Sequence, residues 1–410
     1  MSKHRVVITG GGAISSLGND WCQIASSLKS TKNSVCTMDD WDQYPQMNTR
    51  LAAPVNDFSL PSYYKAKQKR SMGRVAQMAV VATENALKQA LLSEENRLSN
   101  GRTGVAYGSA TGSSDAALEF FSMLEDKSMD RLNSTTYLRM MSHSAAVNIS
   151  IIFGTQGRIY TTNSACTAGS QAIGYAYEAI RDGVQDIMIT GGAEELCPTH
   201  AAVFDTIYAA STNNDQPKNT PRPFDKERDG LVLGEGACTL ILESLDHAKA
   251  RGAKIFAEII GFATNTDGRH AVRPSKKTVV KVMEACLNNA GKSSDEVGYI
   301  SAHATATEQG DIIETEATQE VFGSNIAISS LKSYTGHTLG ACGSFEAWAS
   351  IMMMNEGWFA PTLNLESVDS RCANLDYIIG DCRQIDTSII MSNNFAFGGI
   401  NTSLLFSRYD

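Results

Sequence analysis

Tyr160-Thr-Thr-Asn-Ser-Ala-Cys166-Thr-Ala-Gly-Ser-Gln-Ala-Ile-Gly174 joins a short polar, β-branched run to a helical pattern. Ile173, Tyr177 and Ile180 recur at helical spacing until Gly183 stops the repeat. The stretch reads as strand, sharp turn and helix, with Cys166 at the helix start. Unpaired N–H groups and the positive end of a helix dipole favour a thiolate there. The same N–H groups are placed to hold an oxyanion. Two readings fit this stretch alone: a nucleophile, or an inert buried thiol.

Composition narrows the class. The chain has 410 residues, 42% of them hydrophobic and 19% charged, as in globular proteins with a sizeable core. Its net charge is −9 and its pI about 5.4. That balance argues against a general nucleic-acid or anionic-membrane binder and leaves room for a local basic patch. The nine cysteines are scattered, odd in number and without a CxxC pair. That pattern fits a reducing compartment and gives no zinc signature. No apolar run is long enough to span a bilayer, and the N-terminus does not read as a signal peptide. The expectation is a cytoplasmic enzyme without a bound metal.

Strands are expected at 6–9, 104–108, 186–191, 239–242, 255–262, 297–302, 326–331, 388–392 and 402–406. Helices are expected at 76–92, 115–125, 143–153, 246–251, 276–290, 310–322 and 339–356. Gly10-Gly-Gly12 reads as a tight strand-to-helix turn, because Ser15 occupies the place of the closing glycine of a dinucleotide fingerprint. Residues 19–60 look irregular. Strand and helix alternate over two comparable halves, which indicates an α/β fold. Residues 61–74 carry Lys65, Lys67, Lys69, Arg70 and Arg74, and this is the one local field suited to an acidic partner.

Three further segments end a strand in a loop rich in glycine or threonine. They hold His303 with Thr305 and Thr307, Lys332 with His337 and Glu346, and Phe395 with Phe397. Ligands collect at the carboxyl ends of strands in open α/β sheets, so these residues are candidates for one pocket with Cys166. Taken singly, each histidine also fits a structural role, and Lys332 a surface charge. Neither His303 nor His337 has a second ligand at helical spacing, which argues against a metal.

The sequence resembles the β-ketoacyl-acyl-carrier-protein synthases, the elongating condensing enzymes of fatty acid and polyketide synthesis. The likeness runs over essentially the whole chain. It is densest at Arg222-Pro-Phe-Asp-Lys-Glu-Arg-Asp-Gly-Leu-Val-Leu-Gly-Glu-Gly236, at His247-Ala-Lys-Ala-Arg-Gly252, from Lys332 to Gly340, and from Phe395 to Asn401. The resemblance implies a thiolase-like five-layer α-β-α-β-α fold of two related halves, here 1–252 and 253–410, and a homodimer. It makes Cys166 the acyl-accepting nucleophile and His303 and His337 the pair that acts on a malonyl thioester. Lys332 and Glu346 match the family's active-site lysine and acid. Phe397 matches a gating residue whose N–H joins that of Cys166 in the oxyanion hole, and Thr305 and Thr307 match contacts to the pantetheine arm. Lys65, Lys69 and Arg70 fall where an acidic acyl-carrier protein docks. The phosphopantetheine arrives with the substrate, so no cofactor is expected.

The chain departs from the family pattern at Ala304, where glycine is usual, and at Asn213, where a carrier-contacting arginine is frequent. Thr111, Met140 and Met141 fall at acyl-pocket positions, with Phe395 beside them in the substrate-binding set. These departures keep a second pathway open, a specialised polyketide or polyene ketosynthase paired as a heterodimer with a non-catalytic chain-length factor. A thiolase is disfavoured, because the loop Phe397-Gly-Gly-Ile-Asn401 lacks that class's second cysteine.

Overall fold

The computed structural model describes residues 3–92 and 98–409. Five strands make the first half of the sheet: β1 (Val6–Ser15), β2 (Thr103–Gly108), β3 (Ile159–Thr162), β4 (Ile187–Glu194) and β5 (Gly236–Ser244). Six make the second: β6 (Ala257–Thr266), β7 (Tyr299–Ser301), β8 (Ala327–Ser329), β9 (Asp376–Tyr377), β10 (Ile389–Ala396) and β11 (Ile400–Ser407). The first half runs β1-β5-β4-β2-β3 and the second β6-β11-β10-β7-β8-β9. In each half the first strand lies antiparallel to the last, the last antiparallel to the one before it, and the following two pairings are parallel. The halves are therefore topological copies. A short antiparallel pairing, Val6↔Ile259 to Ile8↔Ala257, joins them.

Helices fill the spaces between and outside the halves. Two of them, α2 (Ala168–Arg181) and α5 (Cys342–Glu356), touch strands of both halves and form the central layer. A helix enclosed on all sides must be apolar or small all round, and Cys342 to Met354 are buried on nearly every face of α5. One outer layer holds α1 (Arg74–Gln89) against β1 and β5, and the other holds α3 (Lys276–Ala290) with α4 (Glu308–Phe322) against β6 and β11. The result is the five-layer α-β-α-β-α arrangement.

Two expectations are corrected. Gly10-Gly11-Gly12 is no turn, because β1 runs straight through it. A Cβ at Gly10 would lie 2.5 Å from the Ala86 carbonyl, and one at Gly12 would meet that of Ala82, both on α1. One at Gly11 would lie 2.5 Å from the Trp348 ring on α5. The glycines let helices close on the strand from both faces. Residues 19–60 are not irregular throughout. They hold the helix Trp21–Lys29, capped by the Asp20 carboxylate on the Gln23 N–H at 2.9 Å, and the short strands Cys36–Thr37 and Leu51–Ala53.

Candidate active site

Cys166 sits in a single 3₁₀ turn, Ala165–Thr167, between β3 and α2. Ala165 has φ of 50°, in the left-handed region that alanine rarely adopts. That twist turns the chain sharply enough to place Cys166 at the head of the central helix. Thr162 fixes the turn by donating its hydroxyl to the Ala168 carbonyl at 2.7 Å, and Thr167 does so through Ser164 at 2.8 Å.

His337 is delivered from the second half. Its N–H donates to the Val232 carbonyl at 2.7 Å, and its carbonyl accepts from Gly234 at 3.0 Å. This pairing accounts for the apolar Leu231-Val-Leu-Gly234 run of the long motif. Within the same motif, Asp225 accepts three backbone N–H groups and Glu235 binds Arg74 at 2.7 Å. Val232 and Gly234 of the motif thus brace the histidine loop.

The chemistry converges as the residue types suggested. His337 Nε2 lies 2.9 Å from Cys166 Sγ. The His303 ring stands nearly perpendicular to that of His337, with centroids 5.3 Å apart. Nδ1 of both rings is buried without a partner, so the proton is better placed on Nε2, where it reaches the site. Lys332 and Glu346 form a fully buried ion pair, and Asn394 Nδ2 donates to the other Glu346 oxygen at 2.8 Å. Glu314 holds the start of the His303 loop, accepting from the N–H groups of His303 at 2.8 Å and Ala304 at 2.7 Å. Ala304 is buried in the core beneath that loop.

Burial governs the protonation states. It pushes both His303 and His337 well below the ordinary histidine range, and the Lys332 charge pushes the same way. Both imidazoles are neutral at neutral pH. Burial alone would lower Lys332, but Glu346, together with Cys342 and Glu314, more than offsets it, so the ammonium stays charged. Cys166 departs from expectation. Burial pushes its thiol up to about 11, and Lys332 with the N–H groups of Phe397 and Cys166 only partly offsets this. Cys166 rests as a thiol, because enclosure at the helix head outweighs the dipole. Those two N–H groups still face the sulfur, where an oxyanion would form.

A cavity of about 400 Å³ leads from Cys166, His303 and His337 to the surface. Thr305, Thr307, Phe395 and Phe397 line it, and the Thr305 and Thr307 hydroxyls lie 3.0 Å apart. The Phe397 ring packs on Phe204 with centroids 5.0 Å apart. Thr111, Met140 and Met141 do not line this cavity. Thr111 donates its hydroxyl to Glu194 at 3.1 Å and faces His200 Nε2 at 3.2 Å, and both methionines are half-buried. Lys65, Lys69 and Arg70 are exposed at or beside the short helix Ala66–Lys69, away from the cavity lining. Ligating atoms of Cys166, His303 and His337 lie within 4.8 Å of one another, close enough in principle to share a metal ion. The neighbouring Lys332 charge opposes a cation there. Glu314, Asn394 and Glu194 escaped the sequence reading, since a single buried polar residue carries no local signature.

Two family models match the chain. They describe the β-ketoacyl synthase N-terminal and C-terminal domains, and they cover residues 3–248 and 256–366. The chain belongs to the β-ketoacyl synthase family. It is 37% identical to 3-oxoacyl-[acyl-carrier-protein] synthase 2 of Synechocystis over 100% of this chain and 99% of that one. A β-ketoacyl synthase from Burkholderia phymatum, solved by crystallography, superposes with a TM-score of 0.98 at 53% identity, covering 99% of this chain and 100% of the other. The ishigamide ketosynthase/chain length factor superposes with a TM-score of 0.92 at 30% identity over the full length of both.

Proposed function

We propose that this β-ketoacyl synthase elongates acyl chains by decarboxylative condensation with malonyl-acyl-carrier protein, giving a 3-oxoacyl-carrier protein. The observation that carries this reading is the neutral His337 at 2.9 Å from Cys166 Sγ, with His303 beside it, at the floor of one cavity. Cys166 first displaces the carrier's pantetheine thiol from an acyl thioester, and the cysteine proton leaves on that thiol. The N–H groups of Cys166 and Phe397 hold the tetrahedral oxyanion, each such donor being worth roughly 10²–10³ in rate. Malonyl thioester then loses CO₂, and the Nε2–H groups of His303 and His337 stabilise the enolate oxygen. The enolate carbon attacks the Cys166 thioester and expels the sulfur as a thiolate, which takes a proton from solvent to restore the resting thiol. Burial, aided by the charge of Lys332, keeps both imidazoles neutral throughout.

The chain would act as a cytoplasmic homodimer in fatty acid elongation, with residues 1–252 and 253–410 as its halves. Lys65, Lys69 and Arg70 would dock the acidic carrier, and Thr305, Thr307 and Phe395 would line the path of its arm. Phosphopantetheine would enter only as part of the substrate. No helix among the described residues is long and apolar enough to cross a membrane, which agrees with a water-borne carrier. The full-length likeness to a ketosynthase/chain length factor favours a second reading, a polyketide ketosynthase working as a heterodimer. There, Thr111, Met140 and Met141 would shape the acyl pocket. Incubation with malonyl-carrier protein and acyl-carrier proteins of graded length, read by product mass, tests both readings. Formation of 3-oxoacyl products by the chain alone supports the first. Activity only with an added related subunit supports the second, and no condensation in either case refutes the proposal.

A further inference from the structure

The apolar residues around Cys166 give way to a polar pair. Ala110, Ala201, Phe204, Leu339 and Phe397 pack into one cluster with Cys166. Thr111 and His200 are the chain neighbours of Ala110 and Ala201. They meet each other beside that cluster, with Thr111 Oγ1 and His200 Nε2 3.2 Å apart. His200 lies in the helix Pro198–Asp205, four residues before Phe204, so the two side chains share one face of it. Phe204 lines the Cys166 cavity, and its ring packs on that of Phe397. The pair therefore stands one helical turn from an aromatic ring of the cavity wall.

The pair has hydrogen-bonding capacity left over. Thr111 is held in place by Glu194 Oε1, which accepts from its N–H and from its hydroxyl, both at 3.1 Å. His200 Nδ1 is buried with no hydrogen-bond partner among the described residues. Burial pushes His200 below its ordinary value. The imidazole is thus neutral at neutral pH, with one nitrogen that donates and one that accepts. A buried polar atom left unpaired is costly, and an alkyl neighbour does nothing to relieve it. Thr111 is exposed and His200 half-buried, so the apolar cluster ends on this side in polar surroundings.

An acyl group carried by Cys166 must leave the cavity free, because the malonyl thioester enters there while the acyl group waits. The apolar cluster offers it room once the Phe204 and Phe397 rings part, and a chain laid along Ala110 and Ala201 ends at Thr111 and His200. We infer that Thr111 and His200 close the acyl path with a polar stop, which selects acyl chains bearing a hydroxyl at the far end over plain alkyl chains. This rests on the proposed function, in that Cys166 carries an acyl group. A hydroxyl both donates and accepts, so it suits the imidazole in either tautomer. A site that binds a hydroxyl in this way discriminates against the analogue that lacks it, since its own polar groups are then left unpaired. Both residues act on which chain loads and not on the condensation itself.

The test loads Cys166 from the pantetheine thioesters of hexanoate, octanoate and decanoate and of their ω-hydroxy counterparts, followed by intact mass. One hydrogen bond predicts that, at the length whose end reaches the pair, the hydroxyl speeds loading about fivefold or more in the native protein. In the double variant Thr111→Val/His200→Leu the preference turns round, and the alkyl chain loads faster. Thr111→Ser, which keeps the hydroxyl, keeps the native preference. Should the double variant fail to fold, His200→Leu is read in its place. No hydroxyl preference in the native protein at any of the three lengths, or a preference that survives in the variant, overturns the inference. If no thioester loads Cys166, the proposed function fails, and the pair is read separately. N-hexyl, N-octyl and N-decyl iodoacetamides and their ω-hydroxy counterparts then alkylate Cys166, scored by peptide-mapped mass. The hydroxylated reagent is expected to be the faster in the native protein and not in the variant, and equal native rates at all three lengths contradict the polar stop.

Discussion

The fold builds its helix-entering turn twice and uses it differently each time. In the first half the 3₁₀ turn Ala165–Thr167 leads into α2, and in the second the turn Leu339–Ala341 leads into α5. The residue that opens each turn is left-handed, with φ of 50° at Ala165 and 45° at Leu339. Aligned on these turns, Cys166 corresponds to Gly340, and Gly169-Ser170 to Gly343-Ser344. At the first turn the N–H groups of Cys166 and Phe397 face a sulfur at the floor of a cavity. At the second, the Gly340 N–H donates to Glu194 Oε2 at 3.1 Å. Glu194 fills the place of a reacting oxyanion with a carboxylate from the protein itself. Backbone geometry alone thus makes no active site. A nucleophile and unoccupied donors must coincide.

Four substitutions sharpen that contrast. Cys166→Ala should cut condensation by about 10⁴-fold or more, as loss of a covalent nucleophile does elsewhere, while malonyl decarboxylation persists because His303 and His337 remain. Product mass and CO₂ release measured together separate the two.

Lys332→Met leaves Glu346 buried and unpaired, which should cost about 3–5 kcal/mol of stability. It also removes a charge that holds His303 and His337 down. Decarboxylation needs neutral imidazoles and is lost as pH falls through their pKa values. Its acid limb should therefore lie well below pH 6.5 in the native protein and move to higher pH in the variant. A pH–rate profile with malonyl thioester checks this.

Glu194→Ala exposes the importance of the filled turn. It leaves the N–H groups of Ala110, Thr111 and Gly340 unpaired, with an expected loss on the order of 3 kcal/mol in denaturant unfolding. Burial pushes Glu194 up to about 7, so the folded chain keeps a proton that the unfolded chain releases. Its stability contribution is complete below the ordinary carboxylate range and declines as pH rises through about 7. The gap between native protein and variant should narrow accordingly.

Ala165→Gly should change stability by less than about 1 kcal/mol, relief of the left-handed strain being offset by glycine's chain entropy. Equal denaturant midpoints, within that margin, are expected.

Much of this was legible in the chain itself. Cys166, His303, Lys332 and His337 lie at or within a few residues of the end or start of a regular element, and Glu346 in the first turns of α5; strand ends are where α/β sheets gather their chemistry. What eluded the reading depended on distant packing. Gly10-Gly11-Gly12 looks like a turn until α1 and α5 are seen closing on it from both faces. The helix-tip argument for Cys166 sees the dipole and not the enclosure that raises the thiol. The repeated turn went unnoticed because Cys166 and Gly340 share a backbone shape and almost no side-chain chemistry.

The most direct test of the central claim is peptide-mapped mass after incubation with acyl-carrier proteins. The predicted result is one acyl group per chain, carried on Cys166 and on none of the other eight cysteines. An acyl group on a different cysteine, or a chain that elongates without ever carrying one, would contradict the account.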